Sequence, residues 1–171
     1  MDIFEAIKNR RSIRKFSNKE IKQTEIETMI RMAMQAPTAR GQKPWRFLVV
    51  SDKKILKELS NILSNGIMLV EASLCIILVT DKSDLASVEY YPQDMAAATQ
   101  NLMLAATALN IGSCWLGTYP NIERMEKLEK LIPLPENCEY FSMIALGYPK
   151  DEADLKFIDK YDSSRIHYDR F

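Results

Sequence analysis

Only five glycines occur in 171 residues. No Gly-x-Gly-x-x-Gly follows a strand pattern and no Gly-x-x-x-x-Gly-Lys-Ser/Thr is present, so neither a Rossmann dinucleotide site nor a phosphate loop is expected. The single histidine, His167, lies near the C-terminus. Alone it lacks the partners of a catalytic triad or a histidine-based metal centre, and it reads as a surface or tail-packing residue. The three cysteines, Cys75, Cys114 and Cys138, are odd in number, have no metal-ligand spacing and each sit in an apolar run. That pattern points to buried thiols in a reducing compartment and away from disulfides or zinc. Net charge is missing too, since 23 Lys and Arg balance 23 Asp and Glu. No global field would steer the chain to nucleic acid or to an anionic membrane. The N-terminus carries no signal-like apolar segment and no apolar run is long enough to span a bilayer, so a soluble, cytoplasmic protein is expected.

A hydrophobic content of 47% in a chain of this length suits one well-buried core, and one domain over residues 1–171 is expected, without repeats or low-complexity segments. Against the neutral background one stretch stands out, Arg10-Arg11-Ser12-Ile13-Arg14-Lys15-Phe16. Arginine presents a planar fork of N–H donors that matches phosphate oxygens, and serine adds a rotatable donor. In an extended loop, alternation lets Arg10, Ser12 and Arg14 point one way. The cluster suits a single terminal phosphate. It equally suits the solvated end of a preceding helix, where cations complement the helix dipole.

That helix starts at Asp2 as N-cap and has Ile3, Phe4 and Ile7 as its apolar face. A second helix follows from a capping box at Thr24-Glu25-Ile26-Glu27, with Ile26, Met29, Ile30, Ala33 and Met34 at helical spacing until Pro37. Residues 36–44, with two prolines and a glycine, form an ordered loop leading into a strand at Trp45–Val50. Asp52 caps a helix closed by Asn65-Gly66. Ser73–Thr80 is nearly continuous in apolar character, as a central strand covered on both faces would be. Pro92 opens an alanine-rich helix over Gln93–Asn110, apolar around most of its circumference and ended by Gly112. Its burial could come from within the monomer or from a partner subunit. Ser113–Gly117 reads as a short strand or extended loop, Asn121 caps a helix to Ile132, and Cys138–Gly147 is the last strand before a polar tail. This order predicts an α+β fold with helices around one antiparallel or mixed sheet. With so few catalytic side chains in view, any enzyme activity would take its reactive group from a cofactor.

The combination of Arg10-Arg11-Ser12-Ile13-Arg14, then Ala36-Pro37-Thr38 with Pro44-Trp45-Arg46-Phe47, then the alanine-rich helix and Gly112-Ser113-Cys114-Trp115-Leu116-Gly117, resembles the flavin-dependent nitroreductase family. Ala145-Leu146-Gly147-Tyr148-Pro149 and Ser164-Arg165-Ile166-His167-Tyr168 extend the resemblance over essentially the whole chain, in shared order and spacing.

The resemblance implies an α+β homodimer with two FMN molecules, each at the subunit interface and contacted by both chains. Arg10, Arg11, Ser12 and Arg14 would hold the FMN phosphate and the ring edge, with Arg165 as a further phosphate ligand. Pro37, Thr38 and Ala39 would line the ring, Asn65 would hydrogen-bond its pyrimidine, and Leu116 and Gly117 would bring backbone N–H groups to N5 and O4. Two positions depart from the family, Gly41 where asparagine is frequent and Lys43 where glutamine is. Both belong to the implied ring-edge set. The implied chemistry is ping-pong: NADH or NADPH gives hydride to flavin N5, then a small-molecule acceptor such as a nitroaromatic, quinone or enone takes its place in an open, weakly selective pocket. A flavin carrier or redox sensor without turnover would share the same binding residues. A nucleic-acid-binding module is a remote third reading, given the neutral charge.

Overall fold

A computed structural model describes residues 1–63, 65–151 and 157–171. The fold is α+β. Four strands, β1 (Trp45–Val50), β2 (Leu74–Asp81), β3 (Gly112–Gly117) and β4 (Cys138–Gly147), form a sheet in the order β1-β2-β4-β3. All three pairings are antiparallel. Five α-helices accompany them: α1 (Ile3–Asn9), α2 (Gln23–Ala33), α3 (Lys53–Ile62), α4 (Tyr91–Ala108) and α5 (Ile122–Leu131). Strand alternation divides the core in two. Ile76 and Leu78 of β2 face α2 and α4, while Cys75, Ile77 and Val79 join Leu56, Leu59 and Leu128 of α3 and α5 on the other face. With both faces covered, β2 is buried from Leu74 through Thr80, as its continuous apolar character predicts.

The helix caps follow local chemistry, with corrections. The Asp2 and Glu5 carboxylates accept each other's backbone N–H groups at 2.8 and 3.0 Å. Asp52 accepts from the N–H groups of Lys54 and Ile55, and Asn121 from that of Arg124. The capping box expected at Thr24 and Glu27 does not form. α2 begins at Gln23, and Glu25 accepts the Lys22 N–H at 2.8 Å. The Tyr148 hydroxyl also donates to Glu25, at 2.7 Å, so a tertiary contact favours Glu25 over Glu27.

Two glycines serve other ends than the helix closure expected of them. α4 is ended by Asn110, not Gly112: Asn110 has φ +60°, Asn110 N–H reaches Thr107 O and Ile111 N–H reaches Ala106 O, which together make a Schellman closure. Gly112 answers a different need, because a Cβ there would lie 2.8 Å from the Ile13 side chain. Gly66 has φ −91° and is not a left-handed cap; it lies where a Cβ would approach the Ser60 carbonyl to 3.0 Å.

The apolar face of α1 is not inward in the single chain. Ile3, Phe4 and Ile7 are 57%, 72% and 55% exposed, and only Ala6 is buried. Nor is α4 buried all round, since Gln93, Gln100 and Ala108 are exposed with Ala97, Asn101 and Leu104 half-buried between them. The described part of the tail is less polar than expected, carrying exposed Phe157, Ile158, Tyr161, Ile166, Tyr168 and Phe171. Among the described residues no helix is long and apolar enough to cross a membrane.

Candidate functional site

The cationic segment is stapled to the sheet by its apolar members. Ile13 and Phe16 are buried in the α3/α5 core. Ile13 N–H donates to Ser113 O at 2.9 Å, Ser17 N–H to Tyr148 O at 2.8 Å, and Lys150 N–H to Lys15 O at 3.1 Å. Gly112 and Gly147 make this approach possible, since a Cβ at either would meet Ile13 or the Phe16 ring at 2.8 Å. With Ile13 inward, Ser12 and Arg14 are exposed and Arg10 is half-buried. Arg14 Nη1 donates to Ser12 O at 3.1 Å.

Arg11 turns the other way. Its Nη1 donates to Lys8 O at 3.0 Å and to Arg10 O at 2.7 Å, closing the end of α1. Arg11 therefore serves the helix end, and it also borders, with Arg10, Ser12 and Arg14, an open cleft of about 480 Å³ that is further lined by Lys15, Ile158 and Lys160. The sequence pattern counts Lys15 in the cluster but assigns no part to Lys160; only the fold brings the tail lysine beside the cationic segment. Burial pushes the nearby Cys114 thiol up, and the Arg14 charge partly offsets this.

β3 carries the clamp at one end and an open edge at the other. Leu146 gives its carbonyl to Ser73 N–H on the β2 side, and Ser113 gives its carbonyl to Ile13 N–H on the outer side. Alternation then turns the peptide groups of Ser113, Trp115 and Gly117 outward, and those of Cys114 and Leu116 toward β4. Of the two expected donors, Gly117 presents its N–H to the outer edge, and the Leu116 N–H lies in the ladder. Gly117 is exposed, and a Cβ there would meet nothing within 4 Å. From Ser113 to Gly117 the strand advances ~13 Å. Arg124 Nη1 holds the Gly117 carbonyl at 2.8 Å.

The other expected positions are more scattered. Asn65 is exposed in the turn after α3, in the layer that packs the Leu116 side chain. Arg165 is exposed and pairs with Asp162 of its own turn at 3.0 Å. His167 is exposed and stacks on Phe171. In the loop before β1, Thr38 and Ala39 are half-buried, while Pro37, Gly41 and Lys43 are exposed. Lys43 borders a small cleft with Asp81 and Asp84. β1 and β3 are opposite edges of the sheet, three strand spacings or ~14 Å apart, so one chain does not bring this loop to the outer edge of β3.

The chain belongs to the nitroreductase family: the model described as "Nitroreductase family" matches residues 7–71 and 64–148. A protein of Archaeoglobus fulgidus provisionally named NADH dehydrogenase/NAD(P)H nitroreductase is 43% identical over 167 residues, covering 96% of each chain. The crystal structure of a provisionally named NADH oxidase of Clostridium acetobutylicum superposes with a TM-score of 0.94 at 40% identity, covering 97% of this chain and 99% of that one. An FMN-dependent nitroreductase of Clostridium difficile follows at 0.88 and 26% identity, covering 98% and 99%.

Proposed function

We propose that the protein is an FMN-dependent NAD(P)H oxidoreductase of nitroreductase type, acting by a ping-pong mechanism on nitroaromatic, quinone or related acceptors. The observation that carries this reading is the outer edge of β3, which has Ser12 and the Arg10/Arg14 pair at one end and the outward Gly117 N–H ~13 Å along the strand, with open space above the glycine. The donor set fits the group. Two guanidinium forks and a hydroxyl suit a phosphate monoester, and an outward backbone N–H suits a ring nitrogen or carbonyl. When bound, FMN supplies hydride transfer at N5 between NADH or NADPH and the acceptor. Arg10, Ser12 and Arg14 would anchor the phosphate, with Lys160 beside them from the tail and Arg165 joining only by leaving Asp162. Gly117 would orient the ring by its N–H, and the open space around it would leave one face accessible.

Homodimer formation is part of the proposal. The exposed apolar face of α1, the partly open stripe of α4 and the apolar tail are surfaces a second copy would cover. A two-fold mate would also bring its own Pro37–Lys43 loop to the ring, which the strand order denies to a loop of the same chain. Asn65 would meet the pyrimidine side. The test is the absorption spectrum of the purified protein, with flavin bands near one per subunit, followed by steady-state NAD(P)H oxidation with an acceptor. A protein that binds no FMN would refute the reading, and bound flavin without turnover would reduce it to a carrier or sensor.

A further inference from the structure

The loop that the proposed reading places against the flavin is held by a buried carboxylate. Asp94, in the first turn of α4, is 5% exposed. Its Oδ1 accepts the Ala39 N–H at 2.9 Å and its Oδ2 accepts Gln42 Nε2 at 2.6 Å. The Gln42 amide continues the chain of bonds, with Oε1 accepting the Ser87 N–H at 3.0 Å and Nε2 donating to Ser87 O at 3.2 Å. These partners fix which end of the amide is which, because exchanging its O and N would set oxygen against the carboxylate and nitrogen against an N–H. The turn is further closed by Gly41 N–H to Thr38 O and Gln42 N–H to Ala39 O.

Within this turn Arg40, Gly41 and Lys43 have φ of +49°, +68° and +46°. Two of the three have side chains, so the conformation is one that such residues adopt only when their surroundings impose it. Asp94 and Gln42 are those surroundings. Both backbone polar groups of Ala39 are already bonded, its N–H to Asp94 of α4 and its carbonyl to the Gln42 N–H. Ala39 therefore has no free N–H to offer a ring, and its side chain is a methyl group.

We propose that Asp94 and Gln42 are positioning residues, which hold the 38–43 turn as a preformed wall for the flavin ring and for the acceptor stacked on it. The proposal rests on the FMN reading above. The hydrogen-bond pattern supplies a swap experiment. Asp94→Asn alone sets an amide NH2 against Gln42 Nε2, and Gln42→Glu alone sets two carboxylates together. Combining Asp94→Asn with Gln42→Glu exchanges donor and acceptor and lets the network re-form. The amide oxygen introduced at position 94 accepts from the Ala39 N–H, and its NH2 donates to the carboxylate introduced at position 42. The second oxygen of that carboxylate accepts from the Ser87 N–H. The weaker bond to Ser87 O, at 3.2 Å in the parent, is lost and leaves a carboxylate oxygen facing that carbonyl, so the recovery is incomplete.

With FMN-loaded proteins, each single variant should raise KM for the acceptor by about tenfold, as the loss of one charge-assisted bond would, with a smaller change in kcat and an altered visible circular dichroism of the bound flavin. The double variant should return within about threefold of the parent. Gln42→Ala, which removes the contact without adding repulsion, gives the same readouts should a single swap fail to fold. Single variants with the parent's KM and flavin dichroism, or a double variant no better than the worse single one, would overturn the proposal and leave the FMN reading standing. A parent protein that takes up no FMN would overturn both.

Discussion

Replacing Arg10 and Arg11 one at a time separates two tasks that adjacent, identical residues perform. Both border the open cleft, but only the Arg11 guanidinium also donates to the Lys8 and Arg10 carbonyls at the end of α1. Arg10→Ala removes a phosphate contact, and a charge-assisted bond is worth about 1.5–3 kcal/mol, which is roughly ten- to a hundredfold in affinity. The loss should appear for FMN and be nearly absent for riboflavin, which has the ring and ribityl chain without the phosphate. Arg14→Ala should behave likewise. Arg11→Ala removes two bonds to carbonyls and should destabilise the protein by about 1–2 kcal/mol, lowering Tm by about 2–8 °C for a chain of this size. Its FMN-to-riboflavin ratio should move less. The assay is flavin fluorescence quenching on apo-protein for both ligands, repeated at raised salt, together with a thermal melt of each variant. Screening should weaken FMN and spare riboflavin. Equal losses for the two ligands on replacing Arg10 would refute the phosphate assignment, and an Arg11→Ala protein with unchanged Tm would refute the division of labour.

Gly112→Ala should destabilise the fold by about 1–3 kcal/mol and weaken FMN as well, because the new methyl would lie 2.8 Å from Ile13, the anchor between Ser12 and Arg14; paired urea and FMN titrations measure both. Sedimentation equilibrium at micromolar concentration should give about twice 19.7 kDa, and a flavin-replete monomer would remove the support for a shared site. Burial pushes the Cys75 thiol up to about 12 from an ordinary value of 9.0, partly offset by a backbone hydrogen bond at Ile144. The raised value favours the neutral thiol in the folded state, so its contribution is full below pH ~9 and is lost as pH rises toward ~12. The urea midpoint should therefore fall more steeply over that window in the parent than in Cys75→Ala, and parallel curves would contradict it.

Much of the fold is legible in the sequence because it is written locally. Asp2, Asp52 and Asn121 cap helices where their side chains predict, and the apolar run 74–80 is the strand covered on both faces that its composition implies. The sequence pattern marks an apolar stripe without saying what covers it, and the stripe of Ile3, Phe4 and Ile7 is exposed in one chain. Gly112 shows the complementary difficulty. A glycine after a helix reads as a cap, yet the left-handed residue is Asn110, and the reason for Gly112 lies 99 positions upstream in Ile13. Asp94 and Gln42 escape the sequence for the same cause: they are 52 residues apart, each unremarkable alone, and only the fold closes the bond between them.

Scarce glycine ties ligand binding to stability in this protein. A glycine-rich loop presents backbone N–H groups from a local turn, so its geometry survives much of what happens elsewhere. On the proposed reading the anion donors here are side chains, displayed by a segment that Ile13 and Phe16 anchor in the core. Ser12 and Arg14 are where they are because Ile13 is buried between them and bonded to Ser113. Anything that loosens Ile13 must therefore weaken the phosphate site, and the phosphate must in turn favour the packed form of Ile13. At a hundredfold excess over Kd a ligand adds about 2.7 kcal/mol to stability. That is comparable to the expected cost of a methyl at position 112, so saturating FMN should restore most of the stability that Gly112→Ala loses. Riboflavin at the same multiple of its own Kd should stabilise the whole protein equally, yet leave the amides of residues 12–14 less protected from hydrogen exchange. Equal protection under both ligands would mean that the clamp is ordered by the ring and not by the phosphate.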